Sequence, residues 1–178
     1  MKKYILTLLG LLIVVALGSA YKIYVLDVRP AATSVVEDYR NGTYRIGGQD
    51  IKLVDGISMM QGMMGASDIT ITRYFGNEVR GDFDGDEEED VAFIMTQNNG
   101  GSGIFYIVVA ALSSESGVYT TQPYLLGDRI APQSSEFRDG MLIINYATRR
   151  EGEPYTTQPS VGMSAYLKVQ DGKLVKVQ

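Results

Sequence analysis

Val91-Ala92-Phe93-Ile94-Met95-Thr96 and Ile104-Phe105-Tyr106-Ile107-Val108-Val109-Ala110-Ala111-Leu112 decide the fold. Both runs are short, rich in β-branched and aromatic residues, and almost free of polar ones. Asn98-Asn99-Gly100-Gly101-Ser102-Gly103 between them is a string of turn formers. The pair therefore reads as two central strands, buried on both faces and joined by a hairpin turn. The Gly-rich run is not a phosphate cradle, because no Lys-Ser/Thr and no helix follow it.

Further strand candidates lie on either side: Thr43–Ile46, Ile51–Val54, Ile69–Phe75, Tyr119–Leu126, Met141–Ala147, Val161–Val169 and Leu174–Val177. Arg129–Arg138 adds one more. Gly47-Gly48, Asp55-Gly56, Asp139-Gly140 and Asp171-Gly172 punctuate them as turns. Such spacing without helical periodicity predicts one all-β domain over residues 42–178, an antiparallel sandwich or a barrel-like form. Residues 30–41 read as a connector or short helix, with Ser34-Val35-Val36-Glu37 matching a capping box. Tyr119-Thr120-Thr121-Gln122-Pro123 recurs as Tyr155-Thr156-Thr157-Gln158-Pro159, but the flanks differ. The recurrence is either coincidence among β-forming residues or a pair of like surface features.

Residues 1–29 are of another kind. Lys2 and Lys3 precede an uncharged stretch from Tyr4 to Tyr21 with a dense apolar core, Ile5 to Leu17. That is the pattern of an export signal. Gly18-Ser19-Ala20 offers small residues for cleavage after Ala20. The stretch is also just long enough to span a bilayer, and apolar character resumes at Ile23-Tyr24-Val25-Leu26 before Arg29-Pro30. A removable signal peptide and a membrane-anchoring hydrophobic helix both remain open. Either one places the β domain outside the cytoplasm, and an uncleaved helix makes the membrane a partner.

Composition excludes several chemistries. With no Cys there is no disulfide, thiolate zinc site or Cys nucleophile. With no His there is no Ser-His-Asp triad and no imidazole base. Lys2 and Lys3 are two of the 16 basic residues, which leaves 14 in the exported part against all 21 acidic ones. Seven of those acids are Asp82, Asp84, Asp86, Glu87, Glu88, Glu89 and Asp90. Outside that loop the exported chain is neutral. A body with no basic stripe argues against nucleic acid as a partner.

The acidic loop carries the chemistry. Numbered from Asp82, it places Asp at positions 1, 3, 5 and 9, with Gly85 where the chain must turn. A tightly wound loop turns alternate side chains towards one point. Ca²⁺ takes six to eight hard oxygen ligands, and position 7, Glu88, is where a backbone carbonyl is ordinarily supplied. Without a cation such carboxylates repel one another. Mg²⁺ fits less well, since it keeps its waters and demands a smaller octahedron. An EF-hand is excluded, because position 12 is Phe93 and strands flank the loop.

Phe75-Gly76, Val79, Gly81-Asp82-Phe83-Asp84-Gly85-Asp86 and Asp90-Val91-Ala92 together resemble the FG-GAP repeat of integrin-type β-propellers. The resemblance implies a calcium hairpin with Asp82, Asp84, Asp86 and Asp90 as side-chain ligands and Glu88 through its carbonyl. This chain departs from the repeat at Glu87, where glycine is usual. It also carries Ile94-Met95-Thr96 in place of the closing Gly-Ala-Pro. A propeller needs at least about four four-stranded blades, and only one copy is present. The resemblance therefore implies a single calcium hairpin set in a smaller β domain. The body also resembles membrane-anchored or secreted β proteins of small-genome bacteria, which implies a location and no activity.

Two other stretches of sequence suggest other functions. Met59-Met60-Gln61-Gly62-Met63-Met64 offers soft thioethers that suit Cu(I), or else a loop whose methionines fill a gap in the core. Glu151 and Glu153 offer carboxylates for a hydrolase of surface polysaccharide, although neighbours in sequence are not thereby a catalytic pair. The expectation is a non-catalytic extracytoplasmic domain that binds calcium. The sequence names no protein or glycan partner.

Overall fold

Strict alternation along the two apolar runs divides the core in two. The computed structural model of the chain describes residues 35–61 and 69–177. In it β1 (Thr43–Ile46) and β2 (Gln49–Lys52) form a hairpin. A central antiparallel sheet is made from β3 (Ile57–Gln61), β4 (Ile69–Gly81), β5 (Asp90–Asn98), β6 (Phe105–Leu112) and β7 (Tyr119–Thr120), in that order. β8 (Tyr124–Asp128) also pairs with β6. A second sheet runs β12 (Lys173–Lys176), β11 (Val161–Gln170), β10 (Met141–Thr148), β9 (Ala131–Arg138).

β5 and β6 pair with Phe93 opposite Val109 and Ile94 opposite Val108. Because successive side chains in a strand point to opposite faces, Phe93, Met95 and Val109 join one core with Tyr39, Tyr44 and Leu53. Ile94, Val108 and Leu112 join the other, against Leu142, Ile144 and Leu167 of the second sheet. Phe93 is ringed by Tyr39, Tyr44 and Tyr74 with centroids 5.1–5.5 Å away. Each such buried side chain contributes about 1.5–3 kcal/mol. The central strands are thus covered on both faces, by the hairpin on one and the second sheet on the other.

Several boundaries differ from the sequence reading, and each has a cause. The three antiparallel sheets do not close into a barrel. The expected connector carries a 3₁₀ helix, Val35–Asn41, whose Tyr39 is buried against Phe93, so the compact unit begins at Val35. β3 occupies sequence read as part of a methionine loop. β4 runs on to Gly81 because breaks in register after Tyr74 and after Gly76 absorb the irregular Gly76-Asn77 step. The expected strand Tyr119–Leu126 is divided at Gln122-Pro123, since proline has no N–H to give a ladder. There Gln122 leaves the central sheet, donating to the Gly172 carbonyl at 2.8 Å and accepting from Leu174 at 3.3 Å. The chain so stitches the two sheets together.

The export segment lies outside the described residues, as do Met63 and Met64. Among the described residues no helix is long and apolar enough to cross a membrane.

Candidate metal centre

The loop between β4 and β5 is wound by its own carboxylates. Asp82 Oδ1 accepts the N–H groups of Gly85 at 2.6 Å and Asp86 at 3.1 Å, and Asp82 Oδ2 accepts that of Glu87 at 3.1 Å. Asp86 Oδ1 accepts the Glu88 N–H at 2.9 Å. Gly85 sits at φ +89°, a conformation a Cβ would strain. Glu87 sits at φ +69°, in the left-handed region that glycine favours.

This winding brings oxygens of Asp82, Asp84 and Asp86 within 4.8 Å of one another. Oxygens bound at 2.3–2.6 Å to a common ion lie at most about 5 Å apart, so the spacing suits a calcium-sized cation. Asp82 is half-buried, and Asp84 and Asp86 are exposed. Arg80 pairs with Glu89 at 2.9 Å rather than with any of the three.

Asp90 is placed differently. It is 0 % exposed and lies outside the grouped oxygens. Its Oδ2 accepts the Phe83 N–H at 2.7 Å and its Oδ1 accepts the Ser113 N–H at 2.8 Å. It therefore clamps the loop to the end of β6, and each oxygen keeps a second lone pair. Burial pushes its carboxyl up to about 6, with Asp84 and Asp86 adding to the rise and the two N–H groups opposing it. Glu88 is exposed, and its N–H is committed to Asp86.

Two supports were not legible as site residues. Tyr119 donates its phenolic hydrogen to Asp84 Oδ2. That bond, with burial second, pushes the phenol up to about 12, so it stays a donor. The recurrent Tyr-Thr-Thr-Gln-Pro segment was the one signal pointing to it. Phe83 packs edge-on against Phe137 of β9, with centroids 4.9 Å apart, which ties the loop to the second sheet.

The described parts of the alternative sites are these. Met59 and Met60 are neighbours on β3, so they face opposite sides of the sheet. Met59 is 65 % exposed, while Met60 packs on the core. Glu153 accepts the Arg150 N–H at 2.9 Å and pairs with its guanidinium at 3.4 Å, while Glu151 is exposed. Comparison with known proteins gives no match: no family model, no curated protein and no solved structure matches the chain.

Proposed function

We propose that this chain is a non-catalytic, extracytoplasmic β domain that holds one Ca²⁺ in the 82–90 loop, in the manner of an FG-GAP hairpin. The reading rests above all on the convergence of Asp82, Asp84 and Asp86 oxygens within 4.8 Å, between two strands that anchor the loop. Carboxylates this close repel one another, and a hard dication relieves that repulsion. Extracellular calcium is plentiful enough for a weak site to fill. The basic start and apolar stretch at Lys2–Tyr21 support export, whether the segment is cleaved or stays as an anchor.

The ion's role on this reading is to order the hairpin and stabilise the fold. At ~1 mM Ca²⁺ and a Kd of ~0.1 mM, linkage gives about 1.4 kcal/mol. The test is thermal unfolding of the full chain in calcium and then in chelator. A calcium-dependent rise of a few degrees, abolished by Asp84→Ala, is expected. Identical curves in both media would sink the proposal.

A further inference from the structure

The recurrent Tyr-Thr-Thr-Gln-Pro segments differ in what covers their tyrosines. Tyr155 is 57 % exposed, but the Arg129 guanidinium lies 4.2 Å from its ring centroid. Tyr119 is 44 % exposed, and among the described residues no guanidinium or ring stacks on it. Its ring instead lines an open hollow of about 360 Å³ between the 3₁₀ helix, β1 and β7. That volume lies within the range of small-ligand sites.

The walls have two characters. Val118 and the Tyr119 ring, both exposed, give apolar faces. Asp38, Thr43 and Thr120 add carboxylate and hydroxyl groups, and Asn41 braces them, its amide donating to Asp38 at 2.5 Å and accepting the Asp55 N–H at 2.7 Å. The lining residues include no Lys or Arg. An anionic ligand therefore meets the Asp38 carboxylate, and the Lys52 ammonium beside Asn41 is already engaged by the Asn41 carbonyl. A neutral sugar ring matches both parts, because its C–H face packs on an aromatic face and its hydroxyls donate to an acceptor-rich rim. The tyrosine is also held before any ligand arrives. Its hydroxyl is bound to Asp84, and the adjoining Thr120 hydroxyl donates to the Thr43 carbonyl at 3.2 Å. A side chain already fixed loses less entropy on binding.

We infer that the hollow beside Tyr119 is a binding subsite for a neutral saccharide. The subsite adjoins the acidic loop, yet its walls are protein groups and need no cation.

The experiment probes the full chain with a printed array of neutral and uronate-bearing oligosaccharides, in calcium and in chelator, followed by titration of a neutral hit. Neutral hits in both media are expected. Tyr119→Ala should weaken the hit about tenfold or more, as truncation of an aromatic anchor does. Val118→Glu, which intrudes on the same hollow without touching Asp84, should do likewise. Tyr119→Phe, which keeps the ring but frees it from Asp84, should weaken the hit less than Tyr119→Ala does, and Tyr155→Ala should bind as wild type does. Melting curves establish that each variant is folded. The inference is overturned by an array without hits, by hits confined to acidic glycans, or by binding that disappears in chelator. Affinity unchanged in both Tyr119→Ala and Val118→Glu would also overturn it, and so would binding of a lysine-rich peptide in place of sugars. A protein that binds neutral sugars but shows no calcium-dependent melting would refute the metal reading and leave this one standing.

Discussion

Tyr119 and Asp84 stand 35 positions apart in sequence, yet the phenol of the first donates to the carboxylate of the second. The short strand β7 thereby reaches across to the loop between β4 and β5. A carboxylate oriented from outside its own loop is better placed to meet a metal than one held by the loop alone. Tyr119→Phe removes only that hydrogen bond. Calcium affinity, read by isothermal titration, should fall about tenfold, the lower end for an outer-shell partner. Unfolding in chelator should move little, because the ring and its packing remain.

Glu87 holds φ +69° without the glycine that this conformation favours. The strain of a side chain there is about 1–2 kcal/mol, and a glycine's extra freedom in the unfolded chain offsets part of the relief. Glu87→Gly should therefore stabilise the cation-free protein by about 0.5–1 kcal/mol in urea unfolding. It also removes one negative charge from the loop. A loss of stability on this substitution would show that the Glu87 side chain makes contacts that matter more than its backbone.

Much of the fold was legible because two runs have no polar face to give away. The sequence predicts cover on both sides of Val91–Met95 and Ile104–Leu112; Val91–Met95 and Ile107–Leu112 receive it, whereas Ile104 is exposed and Phe105 and Tyr106 are half-buried. β3 was hidden because its methionines lack the β-branching that marks strands. The division at Gln122-Pro123 depends on a partner in another sheet, which local pattern does not show. In the loop, the convergence of Asp82, Asp84 and Asp86 follows from alternate spacing. The buried clamp made by Asp90 does not, because its partner Ser113 lies at the far end of β6.

Asp90 is the residue on which the loop's attachment depends. Its two oxygens accept two backbone N–H groups in a site closed to water. Asp90→Asn keeps the shape but turns one acceptor into an NH₂ donor that faces a donor. An unmade buried hydrogen bond costs about 1–3 kcal/mol, so stability should fall by that amount with calcium or with chelator present. A loss confined to the calcium arm would reassign Asp90 from clamp to ligand alone.

Glu78 accepts hydrogen bonds from two tyrosines, from Tyr74 at 2.9 Å and from Tyr39. The Tyr39 bond is the main cause that holds its carboxyl below the usual glutamate range, against the opposing effect of burial. A carboxylate depressed in the folded state contributes stability that is present above its unfolded value and is lost as pH falls through the folded one. Glu78→Gln should thus unfold earlier than wild type at neutral pH. The gap should narrow as pH drops below the ordinary glutamate range, which denaturation midpoints across pH 3–7 would read. A gap independent of pH would mean that the two phenols matter here only as packing.

Gly81 closes β4 at the foot of the loop, where a Cβ would lie 2.6 Å from Cδ1 of Phe137. That ring is itself packed edge-on against Phe83, inside the loop, so it has little room to yield. Gly81→Ala must displace Phe137 from the face of the second sheet, and Phe83 moves with it. Overpacking of this kind costs about 1–3 kcal/mol. Because Phe83 sits between Asp82 and Asp84, the displacement should also spread the carboxylates and weaken calcium binding in titration. Phe137→Ala in the same background opens the space that the new methyl needs. It should restore part of the affinity lost in Gly81→Ala, although Phe137→Ala alone leaves a cavity and destabilises the chain. Failure of the double variant to recover any affinity would mean that Gly81 acts on the loop through its backbone rather than through the Phe83–Phe137 contact.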